Sequence, residues 1–247
     1  MAKFRRGDWV RHSRKGVCGC VTGHRGRSTL VRWIGCNKAS SHGTRSLRPS
    51  DPPRALVLEG NLDPELHSER SEEHLLRTWF DSQGILLAYK NVHSLEDLPI
   101  LAKRIRANRP PFIHISCHGG HDDSGRPYIF FAPSSARRER IYLDDNRTVE
   151  VFRDAFEGMP VLFSACLLGK YRQQIERLRH EAGLGPVAAF TREVRDSETM
   201  LFELLLYQGV LANGWTFRTA VGNVCEALKC LRVRGGRGKA QRMARVF

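Results

Sequence analysis

Two side chains that could carry out nucleophilic chemistry each follow a short apolar segment of the sequence. His118 comes after residues 112–117 and precedes two glycines, whereas Cys166 comes after residues 161–165. A thiol is an effective nucleophile only as a thiolate, and it therefore needs a base within hydrogen-bond reach. The two segments predict Cys166 as a nucleophile and His118 as its general base, which later protonates the leaving amine.

Backbone groups beside these two residues suit the same chemistry. A tetrahedral intermediate needs N–H donors directed at its oxyanion, and the amides of Gly119 and Cys166 are predicted to form this oxyanion hole. Gly120 would leave the loop open to a substrate backbone. Cys117 should point to the opposite face of the strand and pack in the core, and His114 is assigned no role.

Strands and helices alternate along the part of the chain that must position these residues. Continuous apolar strands separated by helices predict an α/β fold, with a mostly parallel sheet covered by helices. In such sheets, sites form at the carboxyl ends of the strands, where His118 and Cys166 both lie. The pattern predicts main strands at residues 55–60, 84–89, 112–117, 161–165 and 187–190, a hairpin at 128–131 and 141–143, and helices at 71–80, 94–107, 149–156, 171–182, 197–211 and 219–231.

The first 50 residues follow a different pattern. Short β-like runs at residues 8–12, 16–23 and 28–33 alternate with glycine turns, which predicts a small all-β unit. These runs resemble small SH3-like or Tudor-like barrels, so we expect a barrel-like module over residues 1–50. Residues 40–53, which are rich in Ser, Arg and Pro, are predicted to be a linker.

The two chemistry-bearing segments also carry a family resemblance. Residues 114–120 (His-Ile-Ser-Cys-His-Gly-Gly) and 161–169 (Val-Leu-Phe-Ser-Ala-Cys-Leu-Leu-Gly) are similar to the catalytic motifs of the caspase-like CHAT peptidases of bacteria, within the wider caspase, metacaspase and separase clan. In cysteine peptidases of the caspase type the base lies about 50 residues upstream of the nucleophile, and here 48 residues separate the two. The resemblance covers residues 54–227. It implies a caspase-like fold for a domain over residues 51–228, a His118/Cys166 dyad and cysteine endopeptidase activity on a protein substrate.

Acidic side chains near the predicted site bear on substrate preference. Cleavage after a basic residue requires a carboxylate in the first specificity pocket, whereas cleavage after an acid requires arginines there. Asp122 and Asp123 follow the two glycines, and Asp196 follows the fifth strand. We expect a basic residue before the scissile bond, with Asp196 or Asp123 as the pocket acid. The alternative for each aspartate is loop capping or solvation.

The formal net charge of +14 is carried by the two ends of the chain. Residues 1–50 hold 12 Lys and Arg against Asp8 alone, for a net +11, and residues 229–247, predicted as a basic tail, hold 7 Lys and Arg and no acid. Residues 51–228 hold 21 bases and 25 acids, for a net −4. The ends can attract nucleic acid or an acidic protein partner, or they can simply be solvated surface.

A second function from another class therefore stays open. The caspase-like body could be catalytically inactive, because a fold alone does not establish chemistry, and the chain would then be a binding or scaffold protein that acts through its basic ends. In the peptidase interpretation, an intracellular protease has to be restrained. The N-terminal module is available for that task, and a regulatory partner or signal is expected.

The number and spacing of the cysteines and the hydropathy of the chain indicate which cellular compartment to expect. Seven cysteines, an odd number with irregular spacing, do not suggest a disulfide framework and favour a reducing cytoplasm. The sequence shows neither a secretory signal nor an apolar run long enough to cross a bilayer, so no membrane association is expected. No cofactor or metal is expected, because Cys-x-Cys without a second paired motif does not fit zinc spacings; the ligands considered for zinc are Cys18, Cys20, His24, Cys36 and His42.

Overall fold

The N-terminal part of the chain is a five-stranded antiparallel sheet with the order β4-β3-β2-β1-β5. The computed structural model describes residues 4–62, 71–108, 110–131, 139–231 and 243–247. A small apolar core that includes Val10, Val31 and Leu47 lies in this sheet, and it confirms the predicted all-β unit. The strands are β1 (Trp9–His12), β2 (Cys18–Arg25), β3 (Ser28–Trp33), β4 (Ser40–Gly43) and β5 (Leu47–Pro49).

The predicted linker is wrong over residues 40–49, because β4, the short 3-10 helix Thr44–Ser46 and β5 lie there. β4 pairs with β3, with Ser40 opposite Val31, and β5 pairs with β1. Backbone hydrogen bonds hold these two edge strands, whose side chains are mostly exposed. A polar edge strand shows no apolar alternation, and neither β4 nor β5 could therefore be predicted from the pattern of apolar residues.

The N-terminal module packs directly on the rest of the chain. Cys18 and Ile34 are buried in the same apolar cluster as Phe80 and Leu211 of the body. Beside them, the amide of Gly35 donates a 2.7 Å hydrogen bond to a side-chain oxygen of the body, Gln83 Oε1. The module is therefore docked on the body through shared core side chains.

A six-stranded sheet forms the centre of the body, in the order β14-β13-β12-β8-β6-β7. All neighbours pair in parallel except β13 and β14, which are antiparallel. This arrangement confirms the predicted mostly parallel sheet. Its strands are β6 (Arg54–Glu59), β7 (Leu86–Asn91), β8 (Ile113–Ser116), β12 (Val161–Ser164), β13 (Val187–Phe190) and β14 (Ala244–Val246).

The basic tail predicted for residues 229–247 is wrong at its end, because β14 belongs to the main sheet. Residues 232–242 of that tail lie outside the described residues. Three residues with an arginine in the centre give no strand signal, and β14 is held by its pairing with β13 and by burial of Met243, Ala244 and Phe247.

Helices cover both faces of the main sheet. The buried side chains of α2, α3 and α4 belong to one apolar cluster, whereas those of α1, α5 and α6 belong to another. No helix among the described residues is long and apolar enough to span a membrane. The helices are α1 (Glu73–Gln83), α2 (Asp97–Asn108), α3 (Asn146–Phe156), α4 (Arg172–Glu181), α5 (Asp196–Tyr207), which continues as a π-helix over Gln208–Ala212, and α6 (Phe217–Ala227).

A small antiparallel sheet extends from the end of β8. Its strands β9 (His118–His121), β10 (Pro127–Phe130) and β11 (Ile141–Tyr142) have the order β11-β10-β9. The predicted pairing of β10 with β11 is confirmed, but β9 was not predicted, because His-Gly-Gly-His has no apolar side chain. This sheet continues the chain from β8 and begins with His118 itself.

Candidate cysteine–histidine site

Parallel pairing of β8 with β12 brings the two predicted site residues to the same level of the sheet. Ser116 lies opposite Ser164 in this register, and both residues end their strands. His118 and Cys166 each follow two residues later. The structure therefore places both residues just beyond neighbouring carboxyl ends, as the sequence predicted.

Gly119 packs against the backbone of the cysteine segment. A Cβ atom at Gly119 would overlap the carbonyl oxygen of Cys166 and would lie 3.2 Å from both Ala165 Cβ and Leu168 Cγ. The predicted oxyanion-hole amides, those of Gly119 and Cys166, thus belong to two segments in direct contact. Only glycine fits this approach, because the overlapping atom is backbone.

The turn after Cys166 has a strained backbone. Leu167 has φ +67° and ψ −18°, and among the described residues it is the only non-glycine with a positive φ. Such a conformation costs of order 1–3 kcal/mol and occurs where the surroundings impose it. The Leu167 amide donates to Arg192 O at 3.3 Å, and Leu168 is fully buried, so the strain is held by tertiary contacts. This sharp turn leaves Cys166 partly exposed at the strand end.

The imidazole of His118 has a fixed ring plane. It stacks on Phe130 of β10, with ring centroids 4.8 Å apart and an angle of 15° between the planes. His118 is half-buried, and its Nε2 atom is buried. A stacked ring keeps few orientations, which suits a base that has to meet one thiol.

The loop between β13 and α5 forms a wall beside Cys166. The Cys166 Sγ atom lies 3.9 Å from the carbonyl oxygen of Val194. In the same loop Arg192 makes a bidentate pair with Glu198, with N···O distances of 2.7 and 3.0 Å. The hydrogen bonds to Glu198 raise the pKa of Arg192. The same hydrogen bonds from Arg192 lower the pKa of Glu198.

Sequence reasoning missed this ion pair. Arg192 and Glu198 are separated by a loop and the first turn of α5, and neither residue type nor spacing distinguishes them from surface charges. Glu198 is only 9% exposed in the folded protein, and this burial cannot be read from the sequence.

The predicted pocket acids lie apart from each other. Asp123 is exposed in the β9–β10 turn, beyond the far end of β9, which spans about 10 Å from His118 to His121. Asp196 is exposed at the start of α5, two residues after Val194. Asp122 caps the β9–β10 turn, and hydrogen bonds, first of all from Ser124, lower its pKa to about 2.

Cys117 and its neighbour along the chain, His118, have different surroundings. Cys117 is 4% exposed and lies in the apolar cluster under α2, α3 and α4, as predicted. Burial raises the pKa of its thiol. This thiol is therefore protonated and enclosed, and it does not compete with Cys166.

No protein-family model matches this chain, and no curated protein matches its sequence.

Proposed function

We propose that this protein is a cysteine endopeptidase with a His118/Cys166 dyad. The observation that carries the proposal is the register of β8 and β12, which sets His118 and Cys166 two residues beyond paired strand ends. The contact between Gly119 and the Cys166 carbonyl supports it independently. The similarity of both segments to caspase-like CHAT peptidase motifs points to the same chemistry.

The proposed reaction proceeds in two stages. His118 accepts the thiol proton while Cys166 Sγ attacks the scissile carbonyl carbon, and the Gly119 and Cys166 amides donate to the oxyanion. The C–N bond then breaks as His118 returns the proton to the departing amine, which leaves a thioester on Cys166. Water, deprotonated by His118, attacks the thioester and releases the acid product and the free thiol.

A basic residue before the scissile bond is the proposed preference. Asp196 is favoured over Asp123 as the pocket acid, because Asp196 follows the loop whose Val194 carbonyl lies beside Cys166 Sγ. Peptides that differ only in Arg, Lys, Asp or Leu at that position test the preference. Faster cleavage after Asp would contradict it, and Asp196→Asn should slow cleavage after Arg more than cleavage after Leu.

The activity itself is tested by cleavage of a peptide panel and of whole-cell protein extract. We expect Cys166→Ala and His118→Ala to reduce cleavage by at least about a thousandfold, since residues of a dyad act as a unit. Cys36→Ala is the matched control, because Cys36 is an exposed thiol far along the chain from the dyad. Equal cleavage by wild type and Cys166→Ala would refute the proposal.

A second candidate function rests on the surface of the N-terminal module. Every Lys and Arg among its described residues is exposed. Such a surface suits nucleic acid or an acidic protein, with an affinity that falls steeply with salt. Reversing Arg11, Arg25 and Arg27 to Glu should weaken RNA and DNA binding without unfolding the module, whereas unchanged binding would exclude this surface. Regulation of the peptidase through the docked module would be compatible with either partner.

A further inference from the structure

A buried polar cluster lies beneath the strand ends that carry the proposed dyad. His114 on β8 and Glu203 on α5 are both 0% exposed. Glu72, which directly precedes α1, has a side chain only 12% exposed. One ligand atom of each residue lies within 4.8 Å of the others. Three separate elements therefore direct ionisable groups to one point in the core.

The imidazole of His114 is oriented as a metal-binding histidine would be. Its Nδ1 atom lies 3.2 Å from the hydroxyl of Tyr207, and its Nε2 atom lies 3.1 Å from Glu203 Oε1 and 4.0 Å from Glu72 Oε2. When Nδ1–H donates to the tyrosine oxygen, the lone pair of Nε2 faces the two carboxylates. A hydrogen bond to the outer nitrogen is what fixes the tautomer of histidines that bind metals.

Each of the two glutamates accepts a hydrogen bond from a serine, but one oxygen of each carboxyl group has no donor. Ser164 Oγ donates to Glu203 Oε1 at 2.5 Å, and Ser116 hydrogen-bonds Glu72. The Oε2 atoms of both glutamates are buried, and within the described part of the chain no hydroxyl, amide or ring N–H donates to either of them. The two carboxyl groups can hydrogen-bond each other only when one of them is protonated. Burial raises the pKa of both carboxyls, so the fold disfavours their ionised forms when no cation is beside them.

The third nearby carboxylate, Glu59, is already occupied. Its Oε2 atom accepts a 2.9 Å hydrogen bond from the amide of Glu72 and another from the Tyr89 hydroxyl. Glu59 therefore anchors the start of α1 and is left out of the ligand set. Among the described carboxylates of this cluster, the buried oxygens without a donor are Glu72 Oε2 and Glu203 Oε2.

We propose that Glu72, His114 and Glu203 bind one divalent transition-metal ion, with Zn²⁺ as the best fit. Two carboxylates and a neutral imidazole carry a charge of about −2, which a divalent cation neutralises where burial of unpaired charge is costly. One nitrogen and two oxygen ligands suit Zn²⁺, whose bonds of about 2.0–2.2 Å require the ligand atoms to draw together by small glutamate rotations. Mn²⁺ shares the preference for carboxylates and is the second candidate.

The site has a structural role. None of the three proposed ligands belongs to the proposed dyad, although Ser164, which donates to Glu203, lies only two residues before Cys166 in the chain. A bound ion would tie α1, β8 and α5 together directly below the strand ends. The inference does not depend on peptidase activity.

Metal analysis of the full-length protein tests the inference. Protein produced with Zn²⁺ supplementation and purified without chelator should contain about one equivalent of zinc by plasma mass spectrometry. A strong chelator should lower the Tm, and added Zn²⁺ should restore it in a concentration-dependent manner. Glu203→Gln and His114→Gln should each remove the metal, whereas Cys166→Ala should retain it while losing cleavage.

The wild-type measurements decide the matter even if the variants fold poorly. A zinc content below about one tenth of an equivalent, with a Tm unaffected by chelator, Zn²⁺ and Mn²⁺, would overturn the inference, and a proton shared by Glu72 and Glu203 would then replace the ion. Metal retained by a folded Glu203→Gln protein would place the ion elsewhere and would also overturn it. Neither result bears on whether Cys166 cleaves peptides.

Discussion

Replacement of Gly119 by alanine is the sharpest perturbation of the proposed site that spares both reactive side chains. The added Cβ would overlap the carbonyl oxygen of Cys166, well inside the 3.0 Å that real Cβ atoms keep. It would also contact Ala165 Cβ and Leu168 Cγ at 3.2 Å, so no free space is available for a sideways shift. The His118 and Cys166 segments must therefore separate.

The size of the effect follows from that separation. Relief of the overlap requires a movement of more than about half an ångström, and a misplacement of about 1 Å can cost a hundredfold in rate. We expect kcat/KM to fall on the order of a hundredfold, which corresponds to about 2.7 kcal/mol of transition-state stabilisation. The oxyanion amide of Gly119 moves with the segment, and kcat should fall more than KM rises.

Initial rates on a fluorogenic peptide panel measure this effect, with thermal unfolding as a check on folding. Gly222→Ala in α6 is the matched control, because a Cβ atom at Gly222 would meet no atom within 4 Å. The reasoning would be refuted if folded Gly119→Ala kept its kcat/KM within about threefold of wild type, or if Gly222→Ala lost as much.

Three further predictions concern the surroundings of the site. Native protein treated with iodoacetamide should be alkylated at Cys166 and not at Cys117, whose thiol is 4% exposed and has a raised pKa; peptide mapping that finds Cys117 modified before unfolding would contradict this. The lowered pKa of Glu198 gives a stabilisation that is present above the unfolded value of 4.5 and is lost as pH falls, so wild type should lose more unfolding free energy from about pH 5 to about pH 3 than Glu198→Gln. The unfolding free energy is measured by urea unfolding at each pH, and an equal loss in wild type and Glu198→Gln over this range would contradict that contribution. Phe163→Ala should destabilise the fold by about 3–5 kcal/mol, because Phe163 is fully buried in β12 against Phe152, and a loss below about 1 kcal/mol would show that this core collapses around the cavity.

The placement of His118 and Cys166 at the carboxyl edge of the sheet could be predicted from the sequence for a physical reason. Strands buried on both faces appear as continuous apolar runs, and the runs before His118 and Cys166 end where the strands end, apart from one residue. Parallel neighbours bring their carboxyl ends to one edge. The position of the two side chains thus depends mainly on local pattern, which one chain is enough to reveal.

Elements held by backbone pairing could not be predicted in this way. β4, β9 and β14 carry polar, glycine or arginine residues and owe their existence to the strand beside them. Without an apolar alternation, such strands look like linker, loop or tail. The same limit explains why the predicted linker and the predicted tail contain strands.

The buried carboxylates were hidden for another reason. Glu203 lies within an apolar helix and His114 within an apolar strand, and sequence reasoning assigned His114 no role. Their contact joins residues 89 positions apart in the chain. Only the packing of α5 against β8 shows that an imidazole and a carboxylate meet in the core.

Covalent trapping of the nucleophile is the most direct test of the central claim. Protein incubated with a peptidyl acyloxymethyl ketone that carries Arg next to the electrophile should gain one adduct by intact mass, mapped to Cys166. The adduct should be absent from Cys166→Ala and should form on the order of a hundredfold more slowly in His118→Ala, since a missing general base costs about 10²–10⁴. Labelling of Cys36 at an equal rate, or a Cys166 adduct that forms equally fast without His118, would contradict the account.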